Sequence, residues 1–294
     1  MQPRTIPQPR ARARRSATHP ACAPGLSLLN LGCGQRFHPA WINLDLQPAH
    51  PSIRRWDVTQ PLPFEDASFD GVYHSHLLEH LPREQALSFL RECRRVLKRG
   101  GILRVAIPNL EAIARLYLSA LEDAWFGDQE ALEQHRWLVM ELYDQATREQ
   151  SGGSMLSYLQ KEQCSLAWYR LGLDGTILRE AFRSLTIPAG QPSWRVHLKG
   201  WLFGSWHERL IRWLLGKEYA LLQLGRFRRA GEVHHWMYDR VSLHETLTQT
   251  GFDSFRCVGP MESAIPNWID YHLDATPDGA VCKPDSLFVE ADKP

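Results

Sequence analysis

No apolar run in these 294 residues approaches the roughly 18 that a membrane span needs. No signal-peptide core stands near the start. No Cys-x-x-Cys pair occurs: Cys22, Cys33, Cys93, Cys164, Cys257 and Cys282 are scattered. That excludes a disulfide or zinc scaffold and implies reduced thiols in a cytoplasmic setting. No Gly-x-x-x-x-Gly-Lys-Ser/Thr phosphate cradle is present. Net charge is only +1, so no nucleic acid or other polyanion is expected as a partner of the whole molecule. Acids are missing from residues 1–24, which hold five arginines and five prolines. Without periodic apolar residues this stretch reads as a disordered basic tail. Its composition also suits an organelle transit peptide, although the prolines oppose the amphipathic helix such a peptide needs.

What is present starts with Ser27 to Asp45. The apolar run Leu26–Leu31 ends in Gly32-Cys33-Gly34, and a second run, Trp41–Leu44, ends in Asp45. This reads as strand, glycine turn, short crossover, and a second strand with an acidic tip. Ligands of open parallel sheets bind outside the carboxyl ends of the strands. Glycine lets a backbone approach a ligand closely, and a carboxylate can accept both hydroxyls of a ribose. A dinucleotide site needs a third glycine and an acid about 20 residues on. Phe37 holds the place of that glycine and Asp45 comes early, which disfavours an NAD-linked oxidoreductase. S-adenosylmethionine (SAM), a phosphate-free nucleoside, suits the loop better. The plainer alternative for these residues alone is an ordinary tight turn.

Further strands are expected at Ser52–Val58, Phe69–His74 and Gly101–Pro108, with His74, Ser75 and His76 at the carboxyl end of the fourth. Pro82 opens a helix whose apolar face is Ala86, Phe89, Leu90, Cys93, Val96 and Leu97. Gly100 is its expected left-handed stop. Strands alternating with crossovers imply a parallel sheet.

LNLGCG, Asp45, WDVTQPLPFEDASFDGVYHSHLLEHL and LRECRRVLKRGGILRVAIPN, in that order, resemble the class I SAM-dependent methyltransferases. They are closest to the type 11 group that includes the ubiquinone and menaquinone methyltransferases. The likeness covers about Leu26 to Asn109. The stretch LNLGCG…HPAWINLD is also similar to bacterial members associated with surface-polysaccharide genes, a hint of a glycan-type acceptor. The resemblance implies a Rossmann-like, seven-stranded, mostly parallel sheet with a large helical insertion between the fifth and sixth strands. It implies SAM as cofactor. Gly32 and Gly34 would lie under its methionine part, with Asn30 and Cys33 beside them. Asp45 would take the ribose hydroxyls, Asp57 and Val58 would sit at the adenine, His74 and His76 on the methyl-donor side, and Leu46 would also touch the cofactor. The link from Gly34 to Asp45 is short and leaves little room for the family's first helix.

From Leu110 to Asp239 the strand pattern gives way to helices, expected at Leu110–Leu118, Gln129–Arg148 and Met155–Leu171. The domain reading is therefore a tail at 1–24, a SAM-binding core at 25–109 and 240–294, and an insertion at 110–239 that covers the substrate. Tryptophan numbers eleven. It is densest between Ser193 and Arg240, at Trp194, Trp201, Trp206, Trp213 and Trp236, interleaved with arginines. Such a stretch can lie on an anionic membrane at the inner face of the cell. The plainer alternative, preferred, is a packed helical unit with tryptophans as its core. His234 and His235 precede the return to the sheet. Adjacent histidines point opposite ways and no spaced third ligand is evident, so no metal site is expected. Either histidine serves as a general base or makes structural hydrogen bonds. Ser242 with Glu245 reads as a capping box, and Phe255–Val258 and Ser286–Ala291 are the last strands.

The resulting expectation is an enzyme that O-methylates a polar or glycan-type small acceptor. If that acceptor is a hydroxyl, His76, His80, His234 and His235 are the candidate bases. The competing expectation is a non-catalytic protein of the same fold that docks through its tryptophan- and arginine-rich insertion.

Overall fold

A computed structural model describes residues 25–161, 164–184 and 206–294. Seven strands form one sheet: β1 (Leu28–Leu31), β2 (Ile42–Asp45), β3 (Arg54–Arg55), β4 (Phe69–Ser75), β5 (Leu97–Pro108), β6 (Asp253–Cys257) and β7 (Ser286–Asp292). Their order is β3-β2-β1-β4-β5-β7-β6. β1 to β5 run parallel, and β7 runs antiparallel to both β5 and β6. β1 is buried at all four positions, as a strand covered on both faces must be.

The helices are α1 (Arg83–Val96), α2 (Leu110–Trp125), α3 (Gln129–Thr147), α4 (Gly153–Leu159), α5 (Ser165–Ser184), α6 (Trp206–Leu215), α7 (Glu218–Arg228) and α8 (Arg240–Gln249). One face of the sheet packs on α1 and α8, through Leu29, Leu31, Leu44, Val72, Phe89, Leu90, Leu243 and Leu247. The other face lacks the helix that a longer crossover between β1 and β2 would supply. Trp41, Tyr73, Ile265, Trp268, Tyr271 and Leu273 fill that space. Beneath them lies Arg104, fully buried. It donates to Asp274 (2.9 Å), Glu290 (3.0 Å) and the carbonyls of Glu262, Gly259 and Pro260. A buried guanidinium persists only with its donors satisfied in this way. A separate core, including Ile113, Trp137, Leu138, Met155, Leu159 and Ala167, joins α2 to α5.

Several expectations need correction. β3 spans two residues, not seven. α1 ends at Val96, because Leu97 turns extended and joins β5. Lys98 then pairs with Asp70 at 2.8 Å, and Gly100 (φ 74°) makes its left-handed turn inside the strand. The helix expected over Met155–Leu171 is two helices. The cap of α8 is Asp239, with Ser242 as its reciprocal partner, so the box begins three residues earlier than expected. Trp213 and Trp236 are 78% and 40% exposed and form no core. Trp194, Trp201 and the basic tail lie outside the described residues.

Candidate functional site

The chain leaves β1 into Gly32 and Gly34, both at positive φ (62° and 53°). At Gly32 a Cβ would stand 2.9 Å from Leu77 Cδ1, so Leu77 packing and the backbone both require glycine. At Gly34 the same position is open space. Asp45, at the tip of β2, accepts the Gly34 N–H through Oδ2 and the Gln47 N–H through Oδ1, each at 2.8 Å. Each oxygen keeps a second lone pair. Asn30 donates to Asn43 and to the Arg36 carbonyl, while its buried Oδ1 has no partner.

A cavity of 570 Å³ opens over this loop. Asn30, Gly32, Cys33 and Gly34 form its floor, with Tyr73, Ser75 and His76 from the end of β4 beside them. Lys283 enters from the loop before β7, and Asp174, Ile177 and Leu178 close it from α5. α5 reaches that position by kinking at Gly172 (φ 56°). A Cβ there would stand 2.4 Å from Pro284 and 2.7 Å from the Cys282 carbonyl oxygen. Arg36 of the glycine loop pairs with Asp174 at 2.5 Å, clasping the cover to the floor. A second cavity, 550 Å³, is lined by Leu46, Arg55, Trp56, Asp57, Gln60 and Pro61. Asp45 lines neither cavity; in sequence it stands between Arg36 of the first and Leu46 of the second. Asp57 holds its own turn by accepting from Thr59, and Val58 packs against the core.

The histidines separate clearly. His76 lines the first cavity at the unusual φ of 48°, with Nε2 2.8 Å from Ser286 Oγ and Nδ1 3.4 Å from Glu79 Oε1. Burial pushes its pKa well below the usual histidine value, and Lys283 adds to the effect. His74 is corrected: strand alternation turns it to the other face, where it meets Phe89 edge-on at 5.2 Å. Burial holds it neutral, down to about 3. His80 and His234 meet edge-on at 4.7 Å and line neither cavity. Burial lowers their pKa values to about 4 and about 2. His235 is exposed and also lines neither cavity. Cys33 is an inert thiol, pushed up to about 12 by burial and by Asp45.

The sequence reading missed Arg36, Asp174, Lys283 and the buried Glu79. Burial raises the Glu79 carboxyl to about 8. Glu79 stands three residues after His76, a spacing that one helical turn brings together. Arg36, Asp174 and Lys283 meet only through the tertiary fold.

An open sheet with only β7 reversed, a glycine loop after β1 and an acid ending β2 define a class I SAM-dependent methyltransferase domain. Residues 39–105 match the family model described as a methyltransferase domain, Methyltransf_11. SAM is the cofactor of this class, and the residues present fit it: an open backbone cradle at Gly34, spare lone pairs on Asp45 and an unpaired buried oxygen on Asn30. No curated protein matches the sequence. Among solved structures, the chain is similar to the complex between the Haloferax volcanii Trm112 methyltransferase activator and a putative methyltransferase. There the identity is 12%, over 92% of this chain and 83% of that one, with a TM-score of 0.37. It is similar to a SAM-dependent methyltransferase of Thermotoga maritima, described as a possible histamine N-methyltransferase, at 11% identity over 92% and 84% (TM-score 0.35). It is also similar to the trans-methyltransferase CalH complexed with S-adenosylhomocysteine, at 20% identity over 28% and 32% (TM-score 0.24). The aligned part spans 39% of the cyclase SpnF and 32% of CalH.

Proposed function

We propose that this chain methylates a hydroxyl oxygen of a small polar or glycan-type acceptor, with His76 as the base. The observation that carries the reading is the position of His76: among the described residues it is the only histidine lining the cavity over the glycine loop. Bound SAM supplies an electrophilic methyl group on a sulfonium, open to in-line displacement. The glycine loop and Asn30 hold the methionine part, Asp45 the ribose, and Leu46, Asp57 and Val58 the adenine end. His76 takes the hydroxyl proton at Nε2, where Ser286 Oγ now lies, with the Glu79 carboxyl 3.4 Å from Nδ1 on the far side of the ring. Residues 110–239 act as the substrate cover. Ile177 and Leu178 exclude water, and Lys283 offers a cation to an acidic or strongly polar acceptor. Holding acceptor and donor in line is the larger part of the catalysis.

The test is a tritium-methyl transfer assay against fractionated hydroxylated acceptors from cell-envelope material. His76→Gln is expected to lower kcat by about 10²–10⁴-fold while S-adenosylhomocysteine binding stays within twofold. Full activity in His76→Gln would reject the base assignment. Transfer to amines alone would reject the O-directed reading.

A further inference from the structure

Beside the cavity, the turn Leu78–His80 that follows β4 meets the segment returning from α7. His235 and Trp236 donate their N–H groups to the Glu79 carbonyl at 2.7 and 3.3 Å, and His234 donates its N–H to the Gln145 carbonyl at 3.0 Å. These bonds fix the His234 side chain against His80. Glu79 is fully buried and neither carboxylate oxygen has a hydrogen bond; the His76 imidazole Nδ1 stands 3.4 Å from Oε1. His234 is 6% exposed and its Nδ1 is likewise unpartnered. His80 Nδ1 lies 3.2 Å from the Val233 carbonyl, which only accepts, so Nδ1 carries the hydrogen and Nε2 presents a lone pair. One ligand atom from each of Glu79, His80 and His234 lies within 4.8 Å of the other two.

Unpartnered buried carboxylate and imidazole atoms are costly. Two such groups, Glu79 and His234, converging with a half-buried His80 whose imidazole is oriented by a backbone carbonyl, are the arrangement that metal-binding histidines show. We propose that Glu79, His80 and His234 form a three-ligand site for a divalent first-row transition ion of the Zn²⁺ kind. Two nitrogens and one oxygen select against Mg²⁺ and Ca²⁺, which take oxygen ligands. Bonds of about 2.1 Å set tetrahedral ligands about 3.4 Å apart, so the cluster contracts on loading. The fourth position is left to water. The ion ties the turn after β4 to residues 233–239. Glu79 then binds with one oxygen and keeps the other for His76.

The full chain, dialysed against a chelator and then titrated with Co²⁺, is expected to bind one equivalent, with visible absorption of a low-coordinate site that Zn²⁺ abolishes. Glu79→Gln and His234→Asn each lower Co²⁺ affinity by at least ~100-fold, and His235→Ala leaves it unchanged. If either ligand variant fails to fold, His80→Asn in the folded chain gives the same readout. S-adenosylhomocysteine titration of the same samples reports the cofactor site separately. Absence of stoichiometric binding by the wild-type chain, or equal binding by the ligand variants, overturns the proposal. A Glu79 that only shares a proton with His76 gives that result.

Discussion

Asp45 gives a graded test of the cofactor site. Its two oxygens each accept one backbone N–H at 2.8 Å, from Gly34 and from Gln47, which aims the remaining lone pairs outward from the tip of β2. Two ribose hydroxyls donating to this carboxylate contribute about 1.5 kcal/mol each, the low end for bonds to a charged group, which suits a half-buried site. Their loss in Asp45→Ala amounts to about 3 kcal/mol, or roughly 100-fold in Kd. In Asp45→Asn the amide oxygen faces the Gly34 N–H and the NH₂ replaces one acceptor. One ribose bond is then lost, along with the Gln47 N–H bond near solvent, and Kd rises by about tenfold. Calorimetric titration with S-adenosylhomocysteine measures both values. Thermal unfolding in parallel is expected to change little, because the two backbone amides left unpaired are near solvent. Affinities within threefold of wild type in both variants would refute a ribose at Asp45.

Two further predictions concern the scaffold. Arg104→Met leaves Asp274 and Glu290 buried without their shared cation. It is expected to cost about 3–5 kcal/mol and to lower the unfolding midpoint by about 10 °C at 2–4 °C per kcal/mol; a fall under about 2 °C would contradict the network. Glu92 accepts from Arg95 (2.8 and 2.9 Å) and from the Leu62 N–H (2.7 Å), which holds its carboxyl below the usual glutamate range. The unfolded chain therefore binds more protons near pH 4. The stabilisation is whole above the ordinary glutamate value of about 4.3 and is lost as pH falls through the depressed one. In urea unfolding, Glu92→Gln is expected to be about 1 kcal/mol less stable than wild type at pH 7, with the difference shrinking as pH falls below the ordinary glutamate range. A difference independent of pH would show that Glu92 stays unperturbed.

Local pattern carried the parts of this fold whose partners are near in sequence. β1, the glycine turn and Asp45 lie within 18 residues, so apolar runs and turn chemistry were enough to place them. The face of α1 was legible for the same reason. Its end was not, because Lys98-Arg99-Gly100-Gly101 has the composition of a helix terminus. What decides it is tertiary: Asp70 holds Lys98, and Lys293, just past the end of β7, pairs with Gly100 and Gly101. At α8 two overlapping patterns competed, Asp239 with Ser242 and Ser242 with Glu245, and the chain took the earlier one. Arg104 did leave a signal. A lone arginine inside Ile102-Leu103-Arg104-Val105-Ala106-Ile107 has to be buried with its strand, and so requires carboxylates that only the fold identifies. The histidine cluster is the same problem at longer range. His80 and Val233 stand 153 positions apart, VHHW has no metal-ligand spacing on its own, and the one such spacing in HSHLLEH, His76 to His80, is not the pair that the cluster uses. Convergence of this kind is set by where the returning chain crosses the turn after β4, and hydrophobic periodicity carries no information about that crossing.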